Sequence, residues 1–119
     1  MLNLEFKEDK KTPYVKMTNE LLILKGRSHP ENSLKFYKPM MDFLNKIEKF
    51  ENYEVNIDLE YINTSSIKSI LYLLNKISEK TLNKVKINWI IDEDDEGMLD
   101  ISNLFIESLK NIEIKKIIK

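Results

Sequence analysis

The pattern that most constrains the fold lies just past the middle of the chain, where a period of two residues gives way to a helical one. Apolar and polar side chains alternate over about residues 54–62 and again over 83–91. Between these segments, apolar residues recur at helical spacing, at Ile67, Ile70, Leu71, Leu74 and Ile77. The sequence therefore predicts two strands, each with one buried and one solvated face, joined by a helix over about 64–80.

This order predicts a mixed α/β sheet with helices on one face only. A strand–helix–strand unit implies parallel neighbours joined by a right-handed crossover. A sheet covered on both faces would instead read as continuous apolar runs. Strands at 14–18 and 21–25, separated by two residues, predict an antiparallel hairpin at the N-terminal end. Residues 2–6 are expected to add a short edge strand.

Three helices are expected in all. The first is predicted from about Pro30 to Phe50, with Ser28 or His29 as its cap and a kink or restart at Pro39. Gly26 is expected to end the strand before it. A third helix is predicted over about 94–110 and a last strand over 112–118. Beside the main apolar face of the first helix runs a narrower stripe, formed by Leu34, Tyr37 and Met41.

Composition excludes most catalytic and nucleic-acid-binding classes. The 119 residues carry 19 basic and 20 acidic side chains, no cysteine and one histidine. A net charge of -1 gives no electrostatic footprint for nucleic acid. Without a thiol, and with the glycines isolated at 26 and 97, neither thiolate chemistry nor a phosphate-cradling loop is available. We expect a single domain, not an enzyme, without a cofactor.

No apolar run approaches the roughly 20 residues of a membrane span, and the N-terminus lacks the pattern of a signal peptide. We therefore expect a cytoplasmic protein that does not insert into membranes.

Four polar residues, Asn63, Thr64, Ser65 and Ser66, join the central strand to the central helix. The first interpretation is a helix cap by Asn63 or Thr64, worth about 1 kcal/mol. The second is a phosphorylation site, because the start of a helix favours an anion and Lys68 lies one turn further on. Local sequence leaves both interpretations open. Ser65, Ser69, Tyr72 and Lys76 are expected on the exposed face of this helix, where Tyr72 could anchor a partner.

The acidic run over 92–96 has several interpretations. Acidic side chains are favourable in the first turn of a helix. A calcium loop fails at its twelfth position, which is Asn103. A negatively charged docking patch is favoured over a magnesium site. Leu99 and Ile106 lie off the core face of the third helix, either against the last strand or at an interface.

Several blocks of this sequence resemble the SiaC family of bacterial regulatory phosphoproteins. They are Thr12-Pro13, Gly26 to Asn32, Phe36-Tyr37-Lys38-Pro39, Leu59 to Ser66 and Trp89 to Asp95. The resemblance spans about residues 10 to 105. It departs at His29, where the family usually has tyrosine.

The resemblance implies a fold similar to the STAS domains of anti-sigma factor antagonists, and it implies phosphorylation of Thr64. Ser65 is the alternative from the local sequence. The implied partners are a serine/threonine kinase with a histidine-kinase-like ATPase fold, a PP2C-type phosphatase and a diguanylate cyclase bound by the unphosphorylated form. Residues expected to bind partners are Asn63, Ser65, Ser66, Lys68, Ser69, Tyr72, His29, Glu31 and Asn32.

Two other functions are compatible with the same sequence. One is an anti-sigma factor antagonist in a partner-switching cascade. The other is a module that senses a nucleotide or small ligand at the same helix N-terminus. The effector, the sign of its regulation and the oligomeric state are left open by the sequence.

Overall fold

A computed structural model, which describes residues 3–119, shows a six-stranded mixed sheet and three helices. In chain order the elements are β1 (Asn3–Phe6), β2 (Tyr14–Thr18), β3 (Leu21–Ser28), α1 (Ser33–Asn45), β4 (Phe50–Ile62), α2 (Thr64–Lys80), β5 (Thr81–Ile91), α3 (Glu96–Ser108) and β6 (Ile112–Ile118). The strands lie side by side in chain order. The first two pairs are antiparallel and the other three are parallel. The predicted fold class is confirmed. Residue 2 of the predicted first strand lies outside the described residues.

The sheet has one buried face and one open face, as the alternation predicted. Leu24, Ile57 and Trp89 lie side by side on three neighbouring strands, and each is fully buried. On the other face the row through Asn56, Asn88 and Lys115 is polar. α2 packs on β4 and β5, α1 packs against α2, and α3 packs on β5. Burial of each large apolar side chain contributes roughly 1.5–3 kcal/mol to folding.

β3 is longer than predicted, because Gly26 does not end it. The strand continues to Ser28, with an irregularity in its pairing to β4 between Gly26 and Arg27. Gly26 has φ +116°, and a Cβ at this position would lie 2.7 Å from the Glu8 carboxylate. Glycine is required here for both reasons, and the chain bends without leaving the sheet.

The predicted start of α1 is wrong, because the capping residue is Asn32. Its side chain accepts a hydrogen bond from the backbone N–H of Lys35 at 3.1 Å. Ser28 is still part of β3, where it pairs with Ile62, so neither Ser28 nor His29 caps the helix. Pro30 precedes the first turn.

The predicted end of α1 is also wrong. The helix passes through Pro39 without restarting and ends at Asn45. Phe50 then begins β4, where it is buried.

Small polar residues occupy part of the core face of two helices. In α2, Ser66 and Ser69 are buried with Leu73, whereas Ile67 and Leu71 are only half-buried. The predicted exposure of Ser69 is therefore wrong. In α3, Ser102 is buried, while Leu104 is 44% exposed.

Candidate functional site

The start of α2 is fixed to both inner strands. Asn63 is the capping residue, and its side chain accepts a hydrogen bond from the backbone N–H of Ser66 at 2.8 Å. Its own backbone N–H donates to the carbonyl of Ser28 at 2.9 Å. The cap therefore ties the end of β4 and the first turn of α2 to the end of β3.

The N-terminus of α1 meets the N-terminus of α2 at this point. The hydroxyl oxygens of Ser33 and Ser65, in the first turns of the two helices, lie 2.7 Å apart. The first N–H groups of a helix have no acceptor within it, and they carry the positive end of its dipole. Neither first turn contains an acidic residue. Two positive helix ends therefore converge with no carboxylate from either first turn.

A buried set of hydroxyl groups lies beneath this meeting point. The Ser28 hydroxyl donates to Ser66 at 2.8 Å and shares a 2.7 Å hydrogen bond with Tyr37. Ser33 lies 3.3 Å from Ser66. Burial raises the pKa of Tyr37, and its hydrogen bonds with the serines only partly oppose this. Tyr37 therefore remains neutral, and the network joins β3, α1 and α2.

The three consecutive hydroxyls at the start of α2 have different environments. Thr64 is exposed, and its side chain makes no hydrogen bond to any residue within 3–119. Ser65 is exposed but bonded to Ser33, and it also donates to Asn63 at 3.3 Å. Ser66 has no accessible surface. The expected contact between Ser66 and a partner is therefore corrected: its hydroxyl holds the junction together from inside.

An open apolar groove of about 740 Å³ runs between α1 and α2, next to these hydroxyls. Leu34 is 80% exposed and Tyr72 is 55% exposed, whereas the buried Ser69 reaches the groove from α2. The groove is lined by Glu31, Asn32, Ser33, Leu34, Tyr37, Lys38, Met41, Ser65, Lys68, Ser69 and Tyr72. The structure thus brings together most of the residues that the sequence assigned to partner binding.

Sequence reasoning missed the contribution of α1 to this groove. Leu34, Tyr37 and Met41 line it, and their spacing had marked them as a second apolar stripe. That stripe was the available signal, because a helix inside the core needs only one apolar face. Lys38, which is paired with Asp42 at 3.0 Å, was also missed.

His29 lies outside the groove. Its ring is edge-on to Tyr61 at 5.3 Å between ring centroids, and the guanidinium of Arg27 lies 5.2 Å above the same tyrosine ring. The Nε2 atom of His29 is buried without a hydrogen-bond partner among the described residues. His29 therefore packs against Tyr61 of β4 and does not line the groove.

The acidic run caps α3. Asp95 accepts a hydrogen bond from the backbone N–H of Met98 at 2.9 Å, and Glu96 lies in the first turn. Nowhere in 3–119 do three or more histidine or acidic side chains cluster in a way that could hold a metal ion. No helix within the same residues has the length and apolarity needed to cross a membrane.

Solved structures from Pseudomonas aeruginosa share this fold. A chain in the structure of the diguanylate cyclase SiaD in complex with its activator SiaC matches with a TM-score of 0.82, at 22% identity over 98% of this chain and 99% of that one. A structure of SiaC matches with a TM-score of 0.76, at 24% identity over 98% and 99%. Apo-SiaC matches at 0.75, with 24% identity over 97% and 99%.

Sequence comparison gives a similar result. An uncharacterized protein of Pseudomonas aeruginosa strain UCBPP-PA14 is 29% identical over 93 residues, which cover 72% of this chain and 71% of that protein. The family model described as SiaC family regulatory phosphoprotein matches residues 6–119. With nearly the whole chain matched, and with the fold of the SiaC structures, this protein belongs to the SiaC family of regulatory phosphoproteins.

Proposed function

We propose that residues 1–119 form one non-catalytic domain that acts in the cytoplasm as a phosphorylation-controlled switch. A serine/threonine kinase with a histidine-kinase-like ATPase fold transfers phosphate to Thr64, and a PP2C-type phosphatase removes it. The unphosphorylated form binds and activates a diguanylate cyclase, which links the switch to cyclic-di-GMP and biofilm formation. The observation that carries this proposal is the free, exposed hydroxyl of Thr64 where two helix N-termini meet.

The environments of the three hydroxyls favour Thr64 over its neighbours. A phosphate on Thr64 breaks no hydrogen bond within 3–119, whereas phosphate on Ser65 would displace its bond to Ser33. Ser66 is inaccessible to a kinase without opening of the junction. Because Asn63 and not Thr64 supplies the cap, modification of Thr64 also leaves the helix start intact.

The same position explains why phosphate would be tolerated by the fold and still change binding. A phosphothreonine carries roughly -1.5 to -2 charges, which the helix ends and Lys68 favour. Lys68 is exposed and has no salt bridge to any residue in the described part of the chain. The added charge and bulk would lie beside Ser65, at the edge of the groove. Phosphorylation therefore changes the surface that a partner meets without unfolding the domain.

The groove provides the docking surface in this proposal. Exposed Leu34 and Tyr72 offer apolar contact, and large side chains in a desolvated pocket account for most of the binding energy of typical interfaces. Lys38 and Lys68 lie at its polar rim. The role of SiaC as activator of the diguanylate cyclase SiaD supports a diguanylate cyclase as the partner of this chain.

Phosphorylation by the cognate kinase tests the assignment. The protein is incubated with kinase and ATP, and the phosphate is located by mass spectrometry of intact protein and peptides. We expect one phosphate on the wild type, none on Thr64→Ala, and retained phosphorylation on Thr64→Ser, which keeps the hydroxyl. Ser65→Ala is the matched control and should be phosphorylated like the wild type.

The result that would overturn the assignment is uptake of phosphate by Thr64→Ala at the wild-type level. Thermal unfolding of each variant controls for stability. Since Thr64 makes no side-chain hydrogen bond within residues 3–119, Thr64→Ala should unfold close to the wild-type temperature.

A further inference from the structure

The sheet has a long, uncovered edge at β6. Among residues 3–119 this strand pairs only with β5, and it contains neither proline nor glycine. The backbone N–H of Lys119 donates to Ile91, and the carbonyl of Lys119 accepts from Glu93. Because backbone groups alternate in direction along a strand, those of Ile112, Ile114, Lys116 and Ile118 point away from the sheet. An edge of this kind is a template for pairing with another strand.

The side chains of β6 are complementary to themselves in one antiparallel register. If Ile114 pairs with Ile114 of a second copy, Glu113 lies opposite Lys115 of that copy on the open face, and the two-fold axis repeats the pair. This register also places outward-pointing backbone groups opposite each other, so that their N–H and C=O groups can form hydrogen bonds between the two strands. Shifting the register so that Lys115 faces Lys115 would oppose two like charges, which is destabilising.

The charges on the neighbouring strands extend this complementarity. Glu54, Lys86 and Glu113 lie in one row across β4, β5 and β6. In the self-paired register the next residue in the row is Lys115 of the second copy. Charges therefore alternate in sign across the interface. Lysines often protect an edge strand from pairing, but here Lys115 meets a carboxylate and Lys116 is drawn towards Asn103 of α3.

An exposed apolar stripe runs along the same edge of the molecule. The contact between Lys116 and Asn103 shows which flank of α3 faces β6. Ile106 lies one turn from Asn103 on this flank and is 45% exposed. On the strand itself, Ile118 lies on the same face of the sheet as α3 and is 54% exposed. A second copy that paired through residues 112–116 would bring its own α3 flank towards Ile106.

We propose that this edge is a homodimer interface, in which two copies join β6 to β6 into one continuous twelve-stranded sheet, twice the six strands of one copy. The occupant is a second copy because the register, the row of charges and the apolar flank are each self-complementary. β6 and β3 are separated by two strands, so the groove between α1 and α2 remains free in both copies. The proposal does not depend on phosphorylation of Thr64.

Sedimentation velocity on the full chain, from micromolar to millimolar concentration, tests the proposal. We expect a concentration-dependent dimer for the wild type. Lys115→Glu and Glu113→Lys should each weaken it roughly tenfold or more, because each change sets like charges opposite each other twice per dimer. The double exchange, Glu113→Lys with Lys115→Glu, restores opposite charges and should restore the dimer. Lys7→Glu, an exposed charge reversal next to β1 at the other edge, should have no effect.

Circular dichroism and thermal unfolding confirm that each variant is folded before sedimentation. A wild type that remains monomeric over the whole concentration range would overturn the proposal. A dimer that survives both single reversals, or that the double exchange does not restore, would overturn it as well, because the contact would then lie elsewhere.

Discussion

The start of α2 and the start of α3 are capped in the same way but differ in their capacity to accept an anion. Each follows a parallel strand, and each is capped by a side chain that accepts the backbone N–H three residues on, from Asn63 to Ser66 and from Asp95 to Met98. At α3 the cap is a carboxylate and Glu96 follows it. At α2 the cap is a neutral amide, followed by hydroxyls. Of these two helix starts, α2 is the one whose favourable position for an anion is still open.

The second difference lies beneath the cap. Met98 packs into the apolar core, whereas Ser66, at the equivalent position, is hydrogen-bonded to β3 and lies beside the first turn of α1. A helix cap therefore becomes a candidate switch through the groups that surround it. A second helix N-terminus, a free hydroxyl and an apolar groove adjoin α2, and carboxylates already occupy the equivalent place at α3.

The largest expected effect concerns docking beside the α2 start. Tyr72→Ala and Leu34→Ala should each weaken binding to the diguanylate cyclase by about 2 kcal/mol, or roughly thirtyfold, because exposed large side chains of the groove are the expected anchors. Leu104→Ala, which truncates an exposed leucine on α3, is the control and should bind like the wild type. Isothermal titration calorimetry measures all three. If Leu34→Ala and Leu104→Ala lost the same amount of binding free energy, the partner would not be docking specifically in the groove between α1 and α2.

The buried hydroxyls give the next largest difference, in stability. Ser66→Ala leaves Ser28 with one fewer partner and should lower the free energy of unfolding by roughly 1–3 kcal/mol. Ser102→Ala is the matched change in α3, where the hydroxyl bonds only to the Leu99 carbonyl of its own helix, and it should be nearly neutral. Urea unfolding of both variants checks the comparison. If Ser102→Ala lowered the free energy of unfolding as much as Ser66→Ala, the buried hydroxyl network would contribute no more than a hydrogen bond within one helix.

Alkaline pH should destabilise the folded protein through Tyr37, the buried α1 residue beneath the start of α2. Burial raises the pKa of Tyr37 above that of an unfolded tyrosine, near 10, so above that pH the folded state binds more protons than the unfolded state. Stability is therefore full below about pH 10 and falls above it, by up to roughly 1.4 kcal/mol per pH unit for each such tyrosine.

Tyr53, which is also buried and hydrogen-bonded to the Thr18 carbonyl, should contribute in the same direction. Urea unfolding at several pH values measures the slope. Tyr37→Phe and Tyr53→Phe should each reduce it, and a slope unchanged in both variants would contradict the assignment.

The smallest expected effects on stability come from changing the charge of the capping residues Asn63 and Asp95. Asn63→Asp keeps the hydrogen-bond acceptor and adds a negative charge at the α2 start, so it should stabilise the protein by about 0.3–1 kcal/mol at low salt. Asp95→Asn removes a charge from the α3 start and should cost a similar amount. Thermal unfolding at low and high salt checks both, since added salt should shrink the two changes together. If Asn63→Asp were destabilising, the claim that the α2 start accepts an anion would fail.

The sequence predicted best what depends on local periodicity. The bounds of α2, the strand alternation in β4 and β5 and the one-sided sheet all follow from spacing within a few residues. The predictions were wrong where contacts between segments distant in sequence determine where a strand or helix begins or ends. The end of β3 depends on Gly26 meeting Glu8, and the start of α1 depends on Ser28 pairing with β4.

The candidate site shows the same division. The local sequence predicted a cap at Asn63 or Thr64, and the structure assigns it to Asn63. The role of Ser66 does not, because a serine carries no apolar signal even at a core position, although it lies four residues before Ile70 on the same helix face. The meeting of Ser33 with Ser65 joins residues that are 32 apart in the chain, and no pattern within either helix could predict it.

Phosphate on Thr64, where the N-termini of α1 and α2 meet, is proposed to control docking of the diguanylate cyclase. This proposal is tested most directly by measuring the affinity of one preparation of diguanylate cyclase for this protein before and after stoichiometric phosphorylation by its kinase. We predict that phosphorylation weakens binding about 5- to 150-fold, the usual range for coupling between two sites, and that Thr64→Ala, treated identically, shows no change. Equal or tighter binding by the phosphorylated protein would contradict it.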